Sequence, residues 1–247
     1  MKVETYKLAD IPLIKQGDDI ASIIASGFEL EDKDIIVLCS TIVSKSEGRL
    51  RDLDSYNSGD KAKELSRQFE CEPEFIQAVL EETEEVLIES PILLVKAKFG
   101  NICINAGVDK SNVEKGRVIL PPEDPDRSAT ALRAKFKELT GKDVGVIVTD
   151  TNGRCFRKGV TGFAIGVSGI TIFRNFVGKK DLFGNSLEKT VECVVDEIAA
   201  FANLLMGEGD EGTPAVVFRG LDFMGDGDAE EIYRNEEEDI IRKYLKL

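Results

Sequence analysis

Short runs rich in Ile and Val recur along the chain, each separated from the next by an amphipathic segment. Runs of this length suit strands and the stretches between them suit helices, so the pattern demands a mixed fold. The expected strands are IIVLC at 35–39, ILLVKAK at 92–98, NICIN at 101–105, GVIVT at 145–149, FAIGVS at 163–168 and AVVFR at 215–219. Between the second and third, Phe99-Gly100-Asn101 reads as the turn of a hairpin. That antiparallel pair favours an α+β class, with mixed, largely antiparallel sheets and packed helices, over a purely parallel doubly wound sheet.

Helices follow from apolar period and caps. In NSLEKTVECVVDEIAAFANLLMG (185–207), Val191, Val194, Val195, Ile198, Phe201, Ala202 and Leu205 share one face, Asn185 and Glu188 resemble a capping box, and Gly207 is the stop. Other helices are expected to begin near Asp18, near Pro73 (Ile76, Val79, Leu80, Thr83 and Leu87 on one face), near Ser128 with an end at Gly141, and near Asp228 with Glu231 as box partner. The 247 residues read as a single domain over 1–247. Two lobes remain open, with LPPEDPD (120–126) as the break.

The chain carries 46 Asp plus Glu against 32 Lys plus Arg, a balance that repels nucleic acid and anionic membranes. It contains no histidine, which excludes a Ser-His-Asp triad, an imidazole base and a His-rich zinc site. Cys39, Cys71, Cys103, Cys155 and Cys193 are scattered without a Cys-x-x-Cys pair and read mostly as small apolar fillers. No apolar run approaches membrane-spanning length, and a cytoplasmic location is expected.

Chemistry must then come from carboxylates, Lys, Arg, Cys or a metal. Asp109 and Asn112 follow one expected strand, and Asp150, Thr151 and Asn152 follow another. Both are either Asx turns or oxygen donors for a hard cation such as Mg²⁺ or Mn²⁺. The loop MGEGDEGTP (206–214) is either a helix C-cap and turn or a phosphate cradle from which Glu208 can reach a second ion, although Asp210 and Glu211 make it acidic. LCSTIVSKSEGR (38–49) offers Ser40, Thr41 and Lys45 without forming a Walker A loop. Arg154, Arg157 and Lys158 add positive charge next to Asp150 in sequence.

Taken in order, ADIPLIKQGDD, CSTIVSKSEGR, VKAKFGNICINAGVDKSN, VTDTNGRCFRKG and ECVVDEIAAFANLLMGEGDEG resemble the coenzyme F420-0 γ-glutamyl ligase family over nearly the whole chain. The resemblance implies GTP-dependent joining of L-glutamate to the phospholactyl carboxylate of F420-0, then a second glutamate through the γ-carboxyl of the first. It also implies two divalent ions, Mg²⁺ or Mn²⁺, help from K⁺, and an intertwined homodimer. Carried over by position, Asp109 and Asp150 match ligands of one ion, and Thr151 and Glu208 match ligands of the other. Ile11, Pro12, Leu13, Ile14, Ser40, Thr41, Lys45, Asn112 and the loop Met206, Gly207, Glu208, Gly209, Asp210, Glu211, Gly212 and Thr213 match GTP contacts. Asp109, Asp150 and Lys45 match the catalytic groups. Phe156, Phe163 and Phe173 read as core residues, with stacking on a deazaflavin as the alternative. The nitroreductase-like domain of some fused relatives has no counterpart in the resemblance, so ligase activity alone is expected. Two rival readings stand beside this one: a metal-dependent phosphohydrolase of GTP, and a non-catalytic oligomeric binding module.

Overall fold

Almost every residue of IIVLC, GVIVT and AVVFR is apolar, which requires cover on both faces, and these runs form the middle of one sheet. The computed structural model describes residues 2–245. Its strands are β1 (Glu4–Leu8), β2 (Ile35–Cys39), β3 (Leu50–Asp52), β4 (Thr83–Ile88), β5 (Leu94–Ala97), β6 (Ile102–Ile104), β7 (Arg117–Ile119), β8 (Gly145–Arg154), β9 (Arg157–Ser168), β10 (Phe173–Asn175), β11 (Val191–Cys193) and β12 (Ala215–Arg219). The helices are α1 (Ile20–Gly27), α2 (Ser40–Ser46), α3 (Asp60–Phe69), α4 (Pro73–Glu81), α5 (Pro125–Thr140), α6 (Val194–Met206) and α7 (Ile240–Leu245). The main sheet has the order β1-β12-β2-β8-β9, in which only β2 and β8 are parallel. The mixed α+β class with largely antiparallel sheets is therefore borne out. No described helix is long and apolar enough to cross a membrane.

Period-two alternation assigns the two faces. Ile36, Leu38, Val146, Val148, Ala215 and Val217 meet α1 and α5 through Ile20, Ile24, Ala129 and Phe136. Ile35, Val37, Ile147, Val216 and Phe218 meet α6 through Val194, Val195, Ile198 and Ala202. Burying each of the larger side chains contributes about 1.5–3 kcal/mol. A third cluster joins Leu65 of α3 and Ile76 and Val79 of α4 to Val95 of β5, Cys103 of β6 and Val118 of β7. Arg49 ties this region to the sheet's surroundings by donating to Glu82 at 2.7 Å and to the Pro121 carbonyl at 2.9 Å. Leu120, Pro121 and Pro122, in the Pro-rich stretch, are buried.

The hairpin expected at Phe99-Gly100-Asn101 is present as β5 and β6. Several boundaries need correction. The long helix starts at Val194 rather than Asn185, because 191–193 pair with β10 and Asn185 bonds back to Asp181 instead of forming a box. The helix from Pro73 stops at Glu81, and Thr83 and Leu87 lie on strand β4, where pairing with β5 overrides the helical period. The helix expected near Ser128 begins at Pro125, with Asp124 as N-cap accepting from the Arg127 amide, and ends as expected before Gly141. Asp228 and Glu231 do form a capping box, but it opens only a single 3₁₀ turn. The strand at FAIGVS extends back to Arg157, and the run from Ile92 is extended only from Leu94.

At the end of the sheet where β2 begins, fully buried Asp34 accepts from Arg219 Nε at 2.9 Å and from its terminal nitrogen at 2.7 Å, and also from the Glu31 amide. The guanidinium stacks over Tyr6 and Phe28, so one contact joins β1, β12 and the entry to β2. Asp34→Ala should lower the unfolding free energy by about 1–3 kcal/mol, because it removes the buried partner of Arg219 and leaves the guanidinium only the more exposed Glu31 at 2.7 Å and the Glu29 carbonyl at 3.0 Å; urea titration measures it. Asp196, in the first turn of α6, is held above the ordinary aspartate range by burial, with the Ala164 amide at 3.0 Å pulling the other way. In that window the native state keeps a proton that the unfolded chain has released, so stability falls as pH rises through it. Urea midpoints measured upward from about pH 4 should fall less steeply for Asp196→Asn than for the unaltered chain.

Candidate active site

Register fixes which chain segments meet. Leu8 pairs with Ala215, Ala215 with Leu38, and Leu38 with Val148, so the end of β1, the start of β12 and the ends of β2 and β8 share one sheet edge. Carboxyl ends of parallel strands are where open sheets leave a crevice for ligands. From this edge Ile11, Pro12, Leu13 and Ile14 leave β1, and Ser40, Thr41 and Lys45 leave β2 within α2. Residues 206–213 enter the same edge ahead of β12, tied in by the Cys39 amide donating to the Pro214 carbonyl at 3.0 Å.

Asp150 continues β8 past this edge. Val148 pairs with Gly166 but Thr149 pairs with Ala164, so Ile165 is the extra residue of a β-bulge beside the acid. Gly107, with φ +72°, passes so close that a Cβ there would lie 3.7 Å from Asp150 Oδ2. Two residues on, Asp109 is bridged to Ile119 through both main-chain groups. Burial pushes the Asp150 carboxyl up to about 6, and the charges of Asp109 and Glu208 add to the rise; the Thr151 amide at 2.9 Å and the Ser40 hydroxyl oppose it. Asp109 and Glu208, from segments far apart in sequence, thus both bear on Asp150.

Thr151 faces the other way. Its partner is Gly162, whose missing Cβ would come within 2.6 Å of the Ala199 carbonyl and 2.7 Å of Asn203 Cβ on α6. Asn203 in turn donates to the Glu208 carboxylate. Asp109 with Asp150 and Thr151 with Glu208 therefore occupy two positions on opposite faces of β8. Lys45 donates from Nζ to the Asn112 carbonyl at 2.6 Å, and Asn112 adopts φ +53°. Ser111 Oγ and the Lys110 amide both donate to Asp109.

Other candidates are placed differently. Ile14 and Met206 are buried in the two main clusters, so only their main-chain groups reach the edge, whereas Leu13 is exposed. Glu211 accepts from the Gly209 amide at 2.8 Å, which turns this acid onto its own loop, and Thr213 is buried while Asp210 and Gly212 are exposed. Arg154, Arg157 and Lys158 are exposed at the far tip of the β8–β9 hairpin. Four residues of strand put Arg154 about 13 Å from Asp150, so the sequence neighbours are not spatial ones. Phe156 at that tip is fully exposed, contrary to a core role, and Phe173 and Cys155 are exposed as well. Neither Gly107, in a 3₁₀ turn after β6, nor Gly162 stands out in the sequence, although a glycine within a strand, as Gly162 is, signals close backbone approach. A cavity of about 180 Å³ lies on the far side of Asp150, walled by Cys103, Ile104, Val160, Phe163 and Ile165 among others.

Among the described residues, no three acidic or thiol side chains stand close enough to cage an ion unaided. The donors are oxygens, and Asp150 is raised by burial with Asp109 and Glu208 adding to it, so a hard cation that keeps open positions for phosphate fits them.

A family model described as F420-0:Gamma-glutamyl ligase matches residues 9–220. The Coenzyme F420:L-glutamate ligase of Archaeoglobus fulgidus is 61% identical over 246 residues, covering 100% of this chain and 99% of that protein. Proteins of the same name from Methanosarcina mazei and Methanocaldococcus jannaschii are 45% and 42% identical, covering 100% and 98% of this chain and 98% and 97% of their own lengths.

An acid kept for chemistry is dispensable for folding. Asp150→Asn removes a buried charge at nearly constant shape, so the melting temperature in metal-free buffer at neutral pH should hold or rise. A fall of several degrees would make Asp150 a structural group.

Proposed function

The chain belongs to the F420-0:gamma-glutamyl ligase family, and from that premise we propose that it uses GTP to join L-glutamate to the phospholactyl carboxylate of coenzyme F420-0. A second glutamate is then added through the γ-carboxyl of the first. The observation that carries this reading is the single sheet edge at which the segments after β1 and β2, the loop before β12, and Asp150 on β8 all meet.

A carboxylate does not condense with an amine in water until one of its oxygens becomes a good leaving group. In the proposed sequence, a lactyl carboxylate oxygen attacks the γ-phosphorus of GTP and GDP leaves, giving an acyl phosphate. The glutamate amine attacks the acyl carbon, phosphate leaves, and the amine proton passes to solvent or a carboxylate. Ser40, Thr41 and the amides of residues 206–213 bind the nucleotide, and Lys45, steadied on the Asn112 carbonyl, supplies a fixed positive charge at the same edge. Mg²⁺ or Mn²⁺, held by Asp109 with Asp150 and by Thr151 with Glu208, and helped by K⁺, would neutralise phosphate charge and align the attacking oxygen. The working unit is proposed as a cytoplasmic homodimer; Leu182 and Phe183, both fully or nearly fully exposed, are apolar area that a second copy would cover.

Mass spectrometry of F420-0 incubated with the protein, L-glutamate, GTP and Mn²⁺ tests the reading. Glutamyl adducts should form only when GTP and glutamate are both present, and Asp150→Asn should lose them. Consumption of GTP with unchanged F420-0 would replace the ligase by a phosphohydrolase.

A further inference from the structure

The cavity beyond Asp150 has no part in nucleotide binding as proposed. It lies between β6 and the β8–β9 hairpin, with a volume of about 180 Å³. We infer that it is the acceptor subsite, which takes the carboxylate-bearing end of the deazaflavin substrate, and that Ile104 and Val160 at its rim limit how much of that end enters. The inference rests on the ligase reading above.

Position supports it first. In the order β1-β12-β2-β8-β9, the segments proposed for GTP hang from β1, β12 and β2, all on one side of β8. The cavity opens on the other side, against β9 and β6, and shares Asp150 and Thr151 with the nucleotide side. Phosphoryl transfer needs the attacking oxygen across from the leaving diphosphate, and an acceptor held in the cavity would approach Asp150 from the side of β8 away from β1, β12 and β2.

The wall supports it next. No Lys or Arg lines the cavity, so it offers nothing to a triphosphate. Cys103, Phe163 and Ile165 suit the carbon body behind the reacting carboxylate instead. Asn152 is already engaged with the Ile102 carbonyl and the Gly153 amide, leaving Asn101 as the wall amide with no side-chain partner among the described residues. The volume is below the roughly 300–1,000 Å³ of sites that enclose a drug-sized ligand, so the reacting end enters and the tricyclic ring stays outside. A close apolar wall also keeps water from an acyl phosphate formed there.

Val160 is 58% exposed and Ile104 is 40% exposed, so each tolerates a larger side chain without loss of core. Steady-state kinetics of Val160→Trp and Ile104→Trp, each with a melting temperature, test the assignment. The KM for F420-0 should rise about tenfold or more while the KM for GTP stays within about twofold, with products shifted towards fewer glutamates. An unchanged F420-0 KM in both folded variants, or a rise in the GTP KM instead, overturns the subsite while leaving the ligase intact. Absence of ligation by the unaltered protein overturns both readings together.

Discussion

The parallel pairing of β2 with β8 is the constraint on which the site depends. All other neighbours in the main sheet run antiparallel, and an antiparallel pair sends its two carboxyl ends to opposite edges. With β2 and β8 aligned, α2 and Asp150 leave from the same edge. Because β12 is antiparallel to β2 and β1 to β12, the loop before β12 and the segment after β1 are delivered there too. Reversing any one of these strands would carry its candidate residues to the opposite edge, whatever their identity.

The same sheet separates stability from chemistry by its length. At one end Asp34 and Arg219 form a desolvated pair with matched charges. At the other, Asp150 is raised by burial, and the like charges of Asp109 and Glu208 add to the rise. A fold that needs only to persist would not gather acids this way; a fold that receives a cation and phosphate gains from it. The overall acidity of the chain gives no hint of this arrangement, since surface acids far outnumber those at the edge.

The central strands were legible because IIVLC and AVVFR are apolar at nearly every position and cannot be placed anywhere but in a covered sheet. What escaped is decided by partners distant in sequence. Thr83 and Leu87 continue the helical period of α4, yet β5 supplies a ladder that single-chain periodicity cannot register. Residues 185–193 carry a plausible cap and apolar spacing, and pairing of β11 with β10 delays the helix to Val194. At the site, Asp109 and Asp150 stand out by type and by position after strands. Gly107 and Gly162 do not, because their role is to be small next to a carboxylate and a helix that only folding brings there.

The bulge at Ile165 has a consequence for how such a hairpin changes length over evolutionary time. Below the bulge, β9 is locked to the core through Val167, and just above it Ala164 and Gly162 still pack on α6; from Val160 outward the strands are held mainly to each other, out to an exposed tip. Insertions or deletions near the tip, made in matched pairs on both strands, leave Asp150 facing Phe163. A single-residue deletion at the bulge cannot be absorbed, because it would rotate one half of β9 against the other and turn either the core or the acid's neighbours to the wrong side. Length drift among related chains should therefore gather at the tip and be absent from the bulge.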